Sequence, residues 1–154
     1  IYDIDLRLVR IFNTYGPRMQ LNDGRVVSNF IIQALKNKNI TVYGSGDQTR
    51  SFCYVDDLID GIERMMKNDD YPGPINLGNP TEISVETLAK EIITMTKSRS
   101  KIVYKKLPID DPKMRCPDIS LAKKKLLWSP LKKREIGLKQ KINYFNKILQ
   151  VEHE

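Results

Sequence analysis

Residues 10–25 read RIFNTYGPRMQLNDGR and join a predicted strand to a predicted helix. The apolar run at residues 6–12 predicts a strand, and the Asn, Gly and Pro that follow are residues that end strands and shape loops. Open α/β sheets bind ligands beyond the carboxyl ends of their strands, so this loop is a candidate site. It carries Arg18 and Arg25, whose guanidiniums suit a phosphate or a carboxylate. A surface loop whose arginines pair with nearby acids fits the same residues.

Hydrophobic periodicity on both sides of this stretch predicts alternating strands and helices. The predicted strands are short and apolar, at residues 4–12, 40–43, 51–55, 75–78 and 102–104, the last at a sheet edge. The predicted helices have apolar residues at helical spacing, at 26–36, 58–66, 85–93, 120–127 and 135–149. This alternation indicates an α/β fold. The first strand is apolar on both faces, which is typical of a parallel strand covered by helices.

Caps and apolar stripes refine the predicted helices. The candidate caps are Asp56 or Asp57 for the second helix, Ser84 for the third, and Asp118 or Ser120 for the fourth. In the second helix the predicted apolar stripe consists of Leu58, Ile59, Ile62, Met65 and Met66. In the last helix the residues predicted to face inward are Leu138, Ile142, Phe145 and Leu149.

The length of 154 residues fits one unit with a substantial core. The chain opens with Ile1 rather than Met, close to a predicted strand, so we expect a fragment whose other part lies on the N-terminal side. No apolar run approaches the ~20 residues of a membrane span. We expect a cytoplasmic protein and leave open a membrane anchor before Ile1.

The net charge of +7 comes from residues 97–154, whereas residues 1–96 carry a slight acidic excess. A basic half can indicate a nucleic-acid partner, but no motif that reads DNA or RNA accompanies it, so we expect none. Cys53 and Cys116 are too few and too far apart for a disulfide scaffold or a zinc site. The single histidine, His153, lies in the tail, so we also expect no metal site.

The turn Gly44-Ser45-Gly46 invites comparison with a dinucleotide-binding loop. Such a loop needs a third glycine and a following helix, whereas here Thr49 takes the third position and a strand is predicted next. We therefore predict a hairpin turn between two strands. Tyr43 precedes the turn, where its ring could lie against a base. Arg50 follows the turn, where its guanidinium could reach a phosphate.

A second loop, DPKMRCPD at residues 111–118, is made rigid by two prolines. It presents Arg115 and Asp118 three residues apart. An arginine for a diphosphate and an aspartate for ribose hydroxyls would form a sensible pair. Asp118 could instead cap the following helix, and it could do both.

Five motifs carry a family resemblance: RIFNTYGPRM, NDGRVVSNFI, VYGSGDQTRSFCYV, NLGNP and DDPKMRCPDI. Together they resemble the UDP-glucuronate decarboxylases, NAD-dependent enzymes of the extended short-chain dehydrogenase/reductase family that make UDP-xylose. The similarity extends over residues 6–149. It implies that residues 1–154 form one unit, the C-terminal substrate-binding part of such an enzyme. This unit would include a few strands and helices of an incomplete Rossmann-type parallel sheet, without the N-terminal NAD-binding part.

The resemblance also implies roles for individual residues. Thr14, Gln20 and Arg25 would approach NAD and the reacting sugar. The residues implied to hold the UDP part are Tyr43, Gln48, Arg50, Arg115 and Asp118. The family oxidises C4 of the glucuronosyl ring with NAD, loses carbon dioxide from the resulting β-keto acid, and returns the hydride. A full-length member is expected to form a homodimer.

This sequence departs from the family pattern in three places. No tyrosine has a lysine four residues later, so the catalytic Tyr-x-x-x-Lys pair has no counterpart. The glycine-rich NAD loop has none either, and we expect the isolated chain to hold no catalytic residue and to be inactive. Leu127 stands where the family usually has glycine; if that position has positive φ, Leu costs about 1 kcal/mol.

Two other functions remain open from the sequence. One is a sister activity on the same fold, a nucleotide-sugar 4-epimerase or 4,6-dehydratase. The other is a truncated, non-catalytic fragment that binds UDP-sugars. Arg25 bears on the first alternative, because an arginine near the sugar is what a carboxylate substrate such as UDP-glucuronate would need.

Overall fold

The computed structural model of the chain describes residues 4–106 and 114–151. The strands in these residues are β1 (Val9–Ile11), β2 (Thr14–Tyr15), β3 (Ile40–Tyr43), β4 (Thr49–Ser51), β5 (Cys53–Tyr54), β6 (Ile75–Leu77), β7 (Glu82–Ser84), β8 (Ile102–Lys105) and β9 (Met114–Arg115). The helices are α1 (Val26–Leu35), α2 (Val55–Met66), α3 (Val85–Thr96), α4 (Ser120–Leu126) and α5 (Arg134–Val151).

The strand pairings are mostly parallel and connect residues far apart in sequence. Parallel pairs form between β1 and β6, between β2 and β5, and between β3 and β8. Strand β4 pairs antiparallel with β7 on one side and parallel with β9 on the other. Parallel strands joined through helices define an α/β fold, which confirms the predicted class.

Two apolar clusters form the core. The larger one packs α1, α3 and α5 around β2, β3 and β4–β5, and its fully buried members include Ile31, Ile40, Leu88 and Phe145. The smaller one packs α2 and α4 against β6 around Trp128, whose indole nitrogen donates to the backbone oxygen of Asp57 at 2.9 Å. A two-armed ion pair between Arg134 and Glu91, at 3.0 and 2.8 Å, joins α5 to α3.

Several predicted helices are confirmed. The helix predicted at 26–36 is α1, and Ser84 caps α3 by accepting a hydrogen bond from the Thr87 backbone at 3.1 Å. The inward face predicted for the last helix is buried throughout, at Leu138, Ile142, Phe145 and Leu149. Neither Asp56 nor Asp57 caps α2, which begins one residue earlier at Val55 with both acids in its first turn. Its buried stripe is Leu58, Gly61 and Met65, whereas Ile59 and Met66 are exposed.

The first predicted strand is much shorter than expected. Only Val9–Ile11 is a strand, and the preceding Ile4, Leu6 and Leu8 are exposed rather than covered by helices. Its partner β6 begins just after residues 72–74, Pro-Gly-Pro. Backbone hydrogen bonds still reach Leu8, which donates to the Pro72 oxygen at 2.7 Å and accepts from Ile75 at 3.1 Å. Pro72 and Pro74 have no backbone N–H to donate, so they cannot continue a regular ladder beyond this point.

The predicted hairpin around Gly44–Gly46 is wrong. The turn itself is present, with positive φ at Gly44 (73°) and Gly46 (86°). However, β3 pairs with β8 and β4 pairs with β7 and β9, so within the described residues the two flanking strands do not pair with each other. The carbonyls of Gly46 and Gln48 instead accept hydrogen bonds from Glu86 and Val85 at the start of α3. The strand predicted at 51–55 is divided between β4, β5 and the first residue of α2.

Candidate functional site

Two adjacent cavities share Arg50 and Val26 in their walls. The first, here called the loop-side cavity, has a volume of about 420 Å³, and its lining includes Thr14, Met19, Arg25, Arg50 and Arg115. The second, here called the strand-side cavity, has a volume of about 380 Å³, and its lining includes Tyr43, Gln48, Arg50 and Lys105. Together the two cavities form the candidate site, and their linings differ in chemical character.

The strand-side cavity is built by paired strands. Tyr43 and Lys105 are the last residues of β3 and β8 and are register partners, so their backbones lie side by side. The Gln48 side chain donates to the Tyr43 backbone oxygen at 2.6 Å, which closes the turn between β3 and β4. An aromatic ring, an amide and a cation therefore converge on one concave surface. Lys105 is one residue beyond the predicted strand at 102–104 and was missed from the sequence.

Arg50 lines both cavities, and Arg115, which lines the loop-side cavity, stands next to it. They are register partners on the parallel strands β4 and β9, and partners in a ladder project to the same face of a sheet. Arg50 is only 7% exposed, and its guanidinium donates to the Thr49 backbone oxygen at 2.7 Å. Arg115 is exposed, and its backbone oxygen accepts from the Ser51 hydroxyl at 3.1 Å. Two neighbouring guanidiniums form a strong site for a multiply charged anion.

The loop-side cavity is bordered by the segment that leads into α1. Asp23 organises this segment: one carboxylate oxygen accepts from the Arg25 backbone at 3.0 Å, and the other accepts from the Ser28 hydroxyl at 3.2 Å. Asn29 donates to the Gly24 oxygen at 3.0 Å, and Gly24 has a positive φ of 77°. These bonds fix the backbone at Arg25, whose side chain is 66% exposed and lines the cavity.

Lys141 lies under this segment and was not identified from the sequence. Its side chain is 0% exposed, and its ammonium donates to the Ser28 hydroxyl at 2.7 Å and to the Met19 sulfur at 2.8 Å. Burial lowers the pKa of Lys141 to about 8, with the Asp23 charge raising it and the Arg25 charge lowering it further. A signal did exist, because Lys141 falls three residues after Leu138 and four before Phe145, on the predicted inward face.

The structure brings some of the predicted site residues together and leaves two outside. Thr14, Arg25, Arg50 and Arg115 share the loop-side cavity, and Tyr43, Gln48 and Arg50 share the strand-side cavity. Gln20 is exposed and, in the part of the chain that is described, lines neither cavity; the same holds for Asp118.

Asp118 is engaged at the start of α4. Its carboxylate accepts from the Ser120 backbone at 2.8 Å and from the Ser120 hydroxyl at 2.6 Å. Both hydrogen bonds lower the pKa of Asp118. Asp111, Pro112 and Lys113 of the same predicted loop lie outside the described residues, as does His153 in the tail.

Tyr15 is the tyrosine in the lining of the loop-side cavity. Burial raises the pKa of Tyr15 well above its usual range, and its hydroxyl donates to the Arg134 backbone oxygen at 3.2 Å. Among residues 4–106 and 114–151, no group of three or more His, Cys, Asp or Glu side chains is placed to hold a metal ion. Over the same residues, no helix is long and apolar enough to cross a membrane.

Residues 1–78 match the family model described as the NAD dependent epimerase/dehydratase family. The chain belongs to this family. It is also 48% identical over 151 residues to UDP-glucuronic acid decarboxylase 1 of Xenopus tropicalis, covering 98% of this chain and 35% of that protein. UDP-glucuronic acid decarboxylase 5 of Arabidopsis thaliana is 50% identical over 137 residues, which cover 89% of this chain and 40% of the plant protein.

Solved structures of the same family have the same fold. UDP-glucuronic acid 4-epimerase from Bacillus cereus, in complex with UDP-glucuronic acid and NAD, matches with a TM-score of 0.87 at 27% identity over 94% of this chain and 46% of its own. UDP-glucose 4-epimerase from Thermotoga maritima, with UDP-glucose, gives a TM-score of 0.86 at 31% identity over 92% of this chain and 46% of its own.

These matches confirm the resemblance to UDP-glucuronate decarboxylases and the Rossmann-type α/β class, and NAD is the cofactor of the family. The chain spans about a third of the length of the animal relative and about half that of the solved structures.

Proposed function

We propose that this chain supplies the UDP-sugar-binding part of an NAD-dependent enzyme that converts UDP-glucuronate to UDP-xylose. The observation that carries the proposal is the distribution of groups over the two cavities. Tyr43 lines the strand-side cavity, Arg50 lines both cavities, and Arg25 and Arg115 line the loop-side cavity. A nucleotide sugar likewise joins a base, a diphosphate and, in UDP-glucuronate, an acidic sugar.

Each part of the substrate has a partner in this proposal. The uracil ring lies against Tyr43 in the strand-side cavity, and Gln48 borders it. The diphosphate is bound by Arg50 and Arg115, with charge-assisted hydrogen bonds worth about 1.5–3 kcal/mol each. The glucuronosyl ring enters the loop-side cavity, where Arg25 binds its carboxylate and Thr14 lies nearby.

Among the described residues, two of the proposed roles fall on side chains outside both cavity walls. Gln20 is proposed to approach the cofactor, although in the described residues it lines neither cavity. Asp118 is proposed to bind the ribose hydroxyls, and this requires it to do so while it accepts hydrogen bonds from Ser120. A carboxylate has two oxygens and about four acceptor positions, so both roles are compatible.

The chemistry supplied by bound NAD is removal of hydride from C4 of the sugar and its return after decarboxylation. A C4 ketone is β to the C6 carboxylate and serves as the electron sink when carbon dioxide leaves. Residues of this chain bind and orient the substrate: Arg25 holds the carboxylate beside C4, and the arginine pair anchors the diphosphate. The sequence contains no Tyr-x-x-x-Lys pair and no glycine-rich helix start. We therefore further propose that the binding site for the NAD pyrophosphate and the proton acceptor are provided by residues outside 1–154.

The test is product analysis with UDP-glucuronate and NAD. The full-length enzyme should form UDP-xylose and release carbon dioxide, whereas the isolated 154-residue chain should form no product. Formation of UDP-xylose by the isolated chain would contradict the proposal that the proton acceptor and the NAD pyrophosphate site lie outside residues 1–154. Binding of UDP by the full-length enzyme without any turnover would instead favour a non-catalytic UDP-sugar-binding protein.

A 4-epimerase is the second candidate, favoured by the ligands of the solved neighbours. The Bacillus cereus structure holds UDP-glucuronic acid with NAD, so an acidic sugar on this fold does not by itself require decarboxylation. The same assay separates the two activities, because an epimerase keeps all six sugar carbons and releases no carbon dioxide. A 4,6-dehydratase would release water instead and would accept a neutral sugar.

We also propose that the full-length enzyme is a homodimer and works in the cytoplasm. The free thiols of Cys53 and Cys116 fit a reducing compartment. Light scattering of the full-length enzyme tests the dimer, and a monomeric mass at micromolar concentration would contradict it.

A further inference from the structure

Lys141 is a cation buried in the core beside the candidate site. It projects from α5, and its ammonium contacts neutral groups: the Ser28 hydroxyl at 2.7 Å, the Met19 sulfur at 2.8 Å, and the face of the Phe145 ring at 4.9 Å. In the described part of the chain, no carboxylate lies within ion-pair distance of it. Burying a charge without a direct counter-ion is costly, so this arrangement calls for a physical reason.

The contacts of Lys141 lead to the loop-side cavity. Ser28 accepts from the ammonium and donates its own proton to Asp23 at 3.2 Å. Asp23 in turn accepts from the Arg25 backbone at 3.0 Å. A relay of three hydrogen bonds therefore links Lys141 to Arg25.

Lys141 holds the bordering segment at both of its ends. Met19 and Arg25 both line the loop-side cavity, and they are six residues apart in the connection between β2 and α1. The ammonium binds the first directly and the second through the relay. This connection contains no strand or helix of its own, so a tertiary anchor is what can fix its position.

We propose that Lys141 is a positioning residue for recognition of the acidic sugar, acting through Ser28 and Asp23 to hold Arg25 at the loop-side cavity. The inference rests on the proposed function for the identity of the ligand. It does not make Lys141 a catalytic residue, because its ammonium is enclosed and, in the part of the chain that is described, Lys141 lines neither cavity. Arg25 is the group that touches the carboxylate, and Lys141 determines where Arg25 is found.

The test is Lys141→Met in the full-length enzyme, since methionine keeps the unbranched shape without the charge. By calorimetry, the affinity for UDP-glucuronate should fall about tenfold, whereas the affinity for UDP should stay within about twofold. Ser28→Ala should give the same pattern, and the double variant should lose little more than either single one. Lys139→Met, an exposed position on the same helix, is the matched control and should change neither affinity.

A second measurement separates this inference from the proposed function. Hydrogen exchange at the Arg25 amide, which donates to Asp23, should be faster in Lys141→Met than in the parent protein, whatever ligand the site binds. Unchanged exchange, or equal losses of UDP and UDP-glucuronate affinity, would overturn the positioning role. Faster exchange in a protein that binds no UDP would support the relay and refute the proposed function alone.

Discussion

The two ends of the candidate site are held in position by different means. At the strand-side cavity, Tyr43 and Lys105 are partners in a β ladder, and Arg50, which lines both cavities, is the partner of Arg115 in another. Backbone hydrogen bonds set the register of these residues, and the one of them that is a buried charge, Arg50 at 7% exposure, donates to the backbone oxygen of the adjacent Thr49. At the loop-side cavity, Arg25 lies on a connection without regular structure and is held through Asp23 and Ser28 to the buried Lys141.

Positioning and stability are therefore related differently at the two cavities. Ladders position side chains and stabilise the fold through the same bonds. The relay also positions a side chain, but it does so by keeping an ammonium out of water, which opposes folding. We propose that the strand-side cavity, which is held by ladders, recognises the nucleotide that all UDP-sugars share. The loop-side cavity, which we propose selects the sugar, depends on the charge of Lys141.

The largest expected effect concerns that charge and the dependence of stability on pH. In the folded state the pKa of Lys141 is lowered to about 8 from its ordinary 10.5, with Asp23 and Arg25 as the charged groups that face it. Between these two pH values the unfolded chain binds the proton more often, so the free energy of unfolding should rise with pH. The full rise is about 3 kcal/mol, and it should be absent in Lys141→Met.

Urea denaturation of the full-length enzyme at several pH values from 7 to 10 measures this rise. Comparison with Lys141→Met removes the contribution of all other titrating groups. At pH 7 the variant should be as stable as the parent protein or more stable. If the free energy of unfolding varied with pH in the same way in both proteins, burial would not lower the pKa of Lys141. The proposed difference between the two cavities would then be refuted.

The next largest expected effect is a loss of ligand affinity at the arginine pair of β4 and β9. Arg50→Ala should weaken binding of UDP, UDP-glucose and UDP-glucuronate by about the same factor, roughly thirtyfold or about 2 kcal/mol. The factor is shared because the lost contact is to the diphosphate that all three ligands contain. Arg115→Ala should act in the same direction, and the exposed Arg99 offers a control, Arg99→Ala, that should leave all three affinities unchanged. Unaltered UDP affinity in both site variants would refute the arginine pair as the diphosphate site.

A smaller effect, limited to the acidic ligand, is expected at Arg25 in the loop-side cavity. Arg25→Ala should weaken UDP-glucuronate binding about tenfold and leave UDP-glucose binding within about twofold, because only the first ligand has a carboxylate. Calorimetry with both ligands measures the ratio of affinities, and Asn22→Ala, an exposed neighbour in the same connection, is the control. A constant ratio would assign Arg25 to the cofactor or to the fold.

The sequence predicted those parts of the molecule that depend on local spacing. Apolar periodicity located α1, α3 and α5, and the Ser84 cap follows from residue type alone. Strand pairing depends on distant partners, and here prediction failed. The hairpin expected at Gly44–Gly46 does not form because β3 pairs with β8, and β1 is short because Pro72 and Pro74 precede its partner.

The same distinction applies to the candidate site. Arg25, Tyr43 and Arg50 stand out because polar residues follow apolar strands or turns. Lys141 does not, because it reaches Ser28 and Met19 across 113 and 122 residues of sequence. Its position on the apolar stripe of the last helix was visible, but a lysine among inward-facing residues gives no indication of which distant segment it contacts.

The smallest expected effect is at a position remote from both ends. Leu127 ends α4 with a φ of 50°, a left-handed conformation that glycine adopts without strain, and its side chain is 83% exposed. Leu127→Gly should therefore raise the free energy of unfolding by about 1 kcal/mol, because relief of strain outweighs the little packing that is lost.

A matched control isolates the conformational origin of that gain. Leu131 is equally exposed at 83% but is not among the residues with positive φ, so Leu131→Gly should lower stability slightly through the added freedom of the unfolded chain. Denaturant unfolding of the two variants gives the comparison, and stabilisation by both substitutions would refute strain at Leu127 as the cause. Because neither leucine lines either cavity, both variants should bind UDP and UDP-glucuronate as the parent does. A change in the ratio of these two affinities would show that ligand selectivity at the loop-side cavity depends on the overall stability of the fold and not on the hydrogen bonds that link Lys141 to Arg25.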